Sequence, residues 1–144
     1  MSWAAVAVVT TVASAAYAGY TNYQSNKQME KQAEADAAAQ LARGRLEAER
    51  IRKEKEKAQS RARAAAAENG IDVNEGTSIV INDQIEQDAN YDANMAEITG
   101  YNSSQRLKAE ASVYGKNAQT AIVSGALNTA SSGMNSYGAT KGWK

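Results

Sequence analysis

The stretch Glu68-Asn-Gly-Ile-Asp-Val-Asn-Glu-Gly-Thr-Ser78, "ENGIDVNEGTS", decides how this chain folds. On both sides the residues favour helix, and the eleven positions between hold two glycines and two asparagines. Three readings compete: a linker between domains, a calcium loop on Asp72, Asn74 and Asp83, or a turn that folds one long helix back on another. The calcium reading fails on register. An EF-hand loop starting at Asp72 needs a ligand at its fifth position, glycine at its sixth and glutamate at its twelfth; those positions hold Gly76, Thr77 and Asp83.

The turn reading explains more. A chain of 144 residues that reverses near Val73 sets side by side residues whose numbers add to about 146. The basic portion Arg43 to Arg63 then faces the acidic portion Asp83 to Glu97, uncharged 1–26 faces uncharged 119–140, and Trp3 faces Trp143. Gly70 can supply the left-handed residue that ends a helix, and Thr77 or Ser78 can cap the next. Gly70, Asp72, Asn74 and Gly76 are therefore the turn residues.

Composition agrees. The chain has no Pro and no Phe, aromatics are 6%, and alanine is the largest part of the 43% hydrophobic content, so apolar area for a single globular centre is scarce. Cys and His are both absent, which removes disulfides, thiol nucleophiles and imidazole chemistry. The acidic residues lie at helical spacing among polar neighbours, without a phosphate loop. The chain reads as no enzyme, with no catalytic residue, metal ligand or cofactor.

The zero net charge hides segregation. Residues 1–26 are uncharged, 27–68 carry eleven basic and eight acidic residues, and 69–100 carry seven acidic and no basic ones. The segments are an uncharged apolar N-terminal helix (1–26), a charged long helix (27–68), a turn (69–78), an acidic-to-mixed return helix (79–118) and an uncharged small-residue C-terminal segment (119–144). The fold class is all-α: an elongated antiparallel hairpin of two long helices, multimeric because its uncharged end exposes surface that one copy cannot cover.

Trp3 to Tyr20 approaches the length of a membrane span, with Trp3 at one end and Tyr17 and Tyr20 at the other, where interfacial aromatics belong. Thr10, Thr11 and Ser14 weaken insertion and favour helix-to-helix contact. A signal peptide is the competing reading, since Ala16-Tyr17-Ala18 has the form of a cleavage site, but no Lys or Arg precedes it. Trp3, Val6, Val9, Val12, Tyr17, Tyr20, Ile122, Leu127, Tyr137 and Trp143 are the candidate membrane or oligomer contacts. In the charged helix, pairs such as Glu47 with Arg50 and Glu49 with Lys53 point to a solvated face. Gly44 marks a close crossing by another helix, and Gly100, Gly115, Gly125 and Gly133 imply a bent second helix.

The opening "MSWAAVAVVTTVASAAYAGY", the turn Gly70-Ile71-Asp72-Val73-Asn74-Glu75-Gly76-Thr77 and the tail "IVSGALNTASSGMNSYG" together resemble the small internal virion proteins, also called core or ejection proteins, of short-tailed phages (podoviruses). The resemblance covers nearly the whole chain in layout and rests on turn glycines and alanine-rich helices. It implies a protein stored in the capsid near the portal with other internal virion proteins. After ejection such a protein oligomerises in the host outer membrane and periplasm as part of a DNA-conducting channel. Sequence-independent contact with phage DNA through the basic residues is a secondary reading, because interleaved glutamates cancel much of the field. The rival is a membrane-anchored coiled-coil stalk or scaffold with no phage role. A small phage holin would lack the charged middle.

Overall fold

The computed structural model describes the backbone of residues 3–73 and 75–141, and the side chains of residues 13, 14, 16–73 and 75–135. Two helices account for nearly all of it: α1, Trp3–Glu68, and α2, Thr77–Lys141. No strand occurs among the described residues. Both helices are continuous, and α2 passes through Gly100, Gly115, Gly125 and Gly133 without a break. Long runs of Ala, Glu, Lys, Arg and Gln favour this continuity in the middle of α1, and neither helix contains a proline to interrupt it.

The reversal is built as a Schellman end on α1. The Gly70 N–H donates to the Ala67 carbonyl (3.1 Å) and the Ile71 N–H to the Ala66 carbonyl (2.9 Å), with Gly70 at φ +70°. Left-handed backbone of this kind penalises any residue with a Cβ. A second left-handed glycine, Gly76 at φ +57°, precedes α2, and its carbonyl accepts the Val80 N–H at 3.5 Å. The N-cap position thus falls on Gly76, one residue before Thr77 and two before Ser78, the expected caps.

The chain forms two compact units, one of Ala35–Leu107 and one of Met1–Glu34 with Lys108–Lys144. In the first unit α1 and α2 meet along two stripes. On α1 the stripe runs Ala37, Leu41, Gly44, Ala48, Ile51, Lys55, Ala58, Ala62, Ala66; on α2 it runs Ser78, Asn82, Ile85, Ala89, Ala93, Ala96, Gly100, Ser104, Leu107. Each advances 29 positions in eight steps, a mean of 3.6, the repeat of a straight α-helix rather than the 3.5 of a left-handed coiled coil. The most buried members are small: Ala37, Ala48 and Ala93 are fully covered and Ser104 nearly so. Small residues let the backbones approach closely, so the contact depends on dispersion between main chains more than on burial of large side chains.

The closest approach lies at Gly44 and Gly100. A Cβ built on Gly44 would come within 2.9 Å of both the Gly100 Cα and the Ala96 carbonyl oxygen. The crossing anticipated at Gly44 is therefore present, and its partner is another glycine. The two numbers add to 144, a two-residue offset from the expected register. Nearer the turn, Gln59 Nε2 donates to the Asn82 carbonyl at 3.3 Å.

The second unit repeats the same device. A Cβ on Gly19 would sit 3.1 Å from the Gly125 Cα, and Ala33, Ala111 and Ala118 are buried beside the helix contact. Gly115 leaves room for the Glu30 carboxylate, whose Oε1 is 2.9 Å from where a Gly115 Cβ would stand. Lys27 Nζ holds that carboxylate at 2.6 Å.

Candidate functional site

With mostly small residues turned inward, and Leu41, Ile51, Ile85 and Leu107 half-buried among them, most of the large apolar side chains are left outside. Of the candidate contacts at the uncharged end, Tyr17, Tyr20, Ile122 and Leu127 are all exposed, Tyr17 by 71% and Leu127 by 65%. The Tyr20 hydroxyl accepts a hydrogen bond from Gln24 Nε2 at 2.7 Å, which fixes the ring against its own helix. Trp3, Val6, Val9, Val12, Tyr137 and Trp143 lie outside the described side chains, as does the expected pairing of Trp3 with Trp143. Of the turn residues, Gly70 and Gly76 set the backbone, Asp72 accepts the Glu75 N–H through its carbonyl at 3.4 Å, and Asn74 lies outside the described residues.

Sequence reasoning missed the outer face of α2. In the first unit Val80, Gln84, Gln87, Tyr91, Met95, Ile98, Asn102 and Gln105 follow one another at steps of three and four, all exposed and none charged. In the second unit Ala109, Val113, Lys116, Thr120, Val123, Leu127, Ser131 and Met134 do the same, with one charge. The spacing places each set on the side of α2 opposite its buried stripe. The outer face of α1 in the first unit differs: Ala35, Ala39, Ala42 and Leu46 give way to Glu49, Lys53 and Lys57. Hydrophobic periodicity alone conceals the α2 face, because glutamines and asparagines take turns with the apolar residues. The usable signal is the absence of charge at that spacing.

The charged residues divide into two groups. Across the helices Arg52 Nη2 meets Glu97 Oε1 at 2.9 Å and Lys55 Nζ meets Glu86 Oε1 at 3.9 Å. These realise the anticipated facing of the basic and acidic portions. Along α1, Arg50 bridges Glu47 and Glu54, and Lys53 meets Glu49 at 2.8 Å. Hydrogen bonding to Arg50 lowers the Glu47 carboxyl below its ordinary value, and Lys53 does the same for Glu49. The Glu30 hydrogen bond raises the Lys27 ammonium, and the Glu110 carboxylate, which accepts from the Tyr114 hydroxyl at 3.0 Å, raises the phenol.

In the first unit an open groove beside the glycine crossing is lined by Gln40, Arg43, Glu47, Met95 and Thr99 among others, and another near the turn by Ala62, Ala66, Ile71 and Ile81 among others. Among the described residues no three His, Cys, Asp or Glu side chains converge as a metal site. Among the same residues no helix is long and apolar enough to cross a membrane. What the arrangement offers chemically is surface: exposed apolar side chains on a close-packed helical frame. No protein-family model, curated protein or solved structure matches the chain.

Proposed function

We propose that this chain is a structural virion protein of the internal or ejection type. It is stored with other internal virion proteins near the portal of a short-tailed phage, and on infection it oligomerises at the host outer membrane as part of a channel for DNA. The observation that carries this reading is the pairing of opposite faces on α2 at the uncharged end. Ala118, Ala121 and Gly125 turn toward α1, while Val123, Leu127 and Met134 stand out on the other side. Exposed apolar residues at regular spacing on a stretch without charge suit neighbouring subunits or lipid. The return of the chain through α2 weighs against a stalk, which needs only one charged helix.

Liposome reconstitution of the purified protein, read by dye release and by electron microscopy, tests the proposal. Annular particles together with leakage are the expected result. A monomer that leaves vesicles intact and shows no particles would contradict it.

A further inference from the structure

The outer face of α2 in the unit Ala35–Leu107 has a built-in match. We propose that it is a docking surface for a second copy of this chain, with the two α2 helices packed antiparallel about a two-fold axis near Met95 and Ile98. This contact goes beyond the membrane assembly proposed above and does not depend on it.

Three observations carry it. The face is uncharged yet exposes Val80, Tyr91, Met95 and Ile98, by 62%, 67%, 44% and 51%. Its spacing is self-complementary: about an axis midway between positions 95 and 98, Met95 falls opposite Ile98 of the second copy, and Tyr91 opposite Asn102 of the second copy. An isologous contact requires this kind of symmetry.

The charges on one flank then fix the direction. Asp88 and Arg106 are eighteen residues apart, five full turns, so they stand in line beside the face. Asp92 lies near Asp88 on that flank. All three are exposed, and none takes part in an ion pair of the described residues. A two-fold axis lying in the contact plane, perpendicular to the helices, maps each flank onto itself. Asp88 therefore meets Arg106 of the second copy, and Arg106 meets Asp88 of the second copy. A parallel, in-register pair would instead set the acidic portion Asp83 to Glu97 beside its own duplicate, with no basic residue in it. The outer face of α1 is a poorer partner, because Glu49, Lys53 and Lys57 would have to leave water against an uncharged stripe. Antiparallel α2 helices also distinguish this contact from any ring whose subunits all insert the same way. It belongs to the protein in water.

The chain has no cysteine, so single-cysteine variants report the geometry directly. In the antiparallel pair the two copies of position 98 are offset by about 4.5 Å along the helices, and the two copies of position 80 by about 50 Å. With a short bismaleimide, full-length Ile98→Cys is expected to cross-link to a dimer and Val80→Cys is not. Equal cross-linking at both positions would overturn the antiparallel arrangement, and none at either would overturn the contact. In sedimentation equilibrium, Asp88→Arg is expected to raise the dimer dissociation constant about tenfold, and adding Arg106→Asp to restore it. A double variant no tighter than the single one would overturn the flank pairing. Vesicle leakage by a protein whose Ile98→Cys variant fails to cross-link would remove this contact and leave the channel reading standing. Cross-linking without leakage would do the reverse.

Discussion

Gly44 and Gly100 touch backbone to backbone: a Cβ on Gly100 would lie 2.8 Å from the Gly44 Cα, and one on Gly44 would lie 2.9 Å from the Gly100 Cα. Neither neighbour is a flexible side chain that can swing aside. Alanine normally stabilises a helix interior by about 1 kcal/mol over glycine. Here the helices must separate to admit the methyl group, and overpacking of this kind costs about 1–3 kcal/mol. Gly44→Ala and Gly100→Ala are each expected to lower the melting temperature followed by circular dichroism. Gly133→Ala, where nothing lies within 4 Å of the new carbon, is expected to raise it. Gly19→Ala, with its nearest backbone atom at 3.1 Å, should fall between them.

The turn depends on two left-handed residues. Gly70→Ala and Gly76→Ala each meet open space, so any loss comes from φ alone, +70° and +57°. The expected cost is about 1–2 kcal/mol each, and Gly70→Asn should recover part of it, because asparagine tolerates this conformation better. Urea unfolding of the three variants checks this, with equal stability of all three and the parent as the contrary result.

Among the described residues Arg52 and Glu97 form the closest charge pair between the helices, with side chains 48% and 43% exposed. Water and salt screen a pair so open, and its coupling should be only about 0.2–1 kcal/mol. Reversing either charge should destabilise slightly, and reversing both should restore the parent value. A double-mutant cycle repeated at high salt should show the coupling shrink.

The pH dependence follows from the shifted groups. Glu47 and Glu49 have lowered folded-state values, so their contribution is present above the ordinary glutamate value, about 4.3, and is lost as pH falls through the folded values. Lys27 has a raised value, so its contribution is complete below the ordinary lysine value, about 10.4, and is lost only as pH rises through the folded one. Thermal stability should therefore be level between about pH 6 and 9 and decline on acidification. Glu47→Gln with Glu49→Gln should reduce the acid decline measured by circular dichroism.

Much of the hairpin is legible in the residues themselves. Gly70 and Gly76 announce the reversal, and the basic and acidic blocks predict which portions meet, as Arg52 with Glu97 and Lys55 with Glu86 show. The expected register is two residues off at Gly44 and Gly100, because local turn chemistry does not fix the centre of a reversal to one residue. The close approaches at Gly100 and Gly125 are hidden as well, since helix propensity counts only a glycine's cost and not the neighbouring backbone it admits. The uncharged outer face of α2 is hidden because Gln84, Gln87, Asn102 and Gln105 dilute its apolar period. The surface at the uncharged end is legible in part: Leu127 is named by its hydrophobicity, while Val123 and Met134 emerge only once the buried side is known.

Dye release from vesicles, comparing the parent chain with Leu127→Asp, tests the proposed function most directly. Leu127 is exposed and outside the helix contact, so the variant should keep the parent's helical content and melting temperature. The account predicts that the parent releases a small dye and that Leu127→Asp releases much less. Equal release by both, or none by the parent, would contradict it.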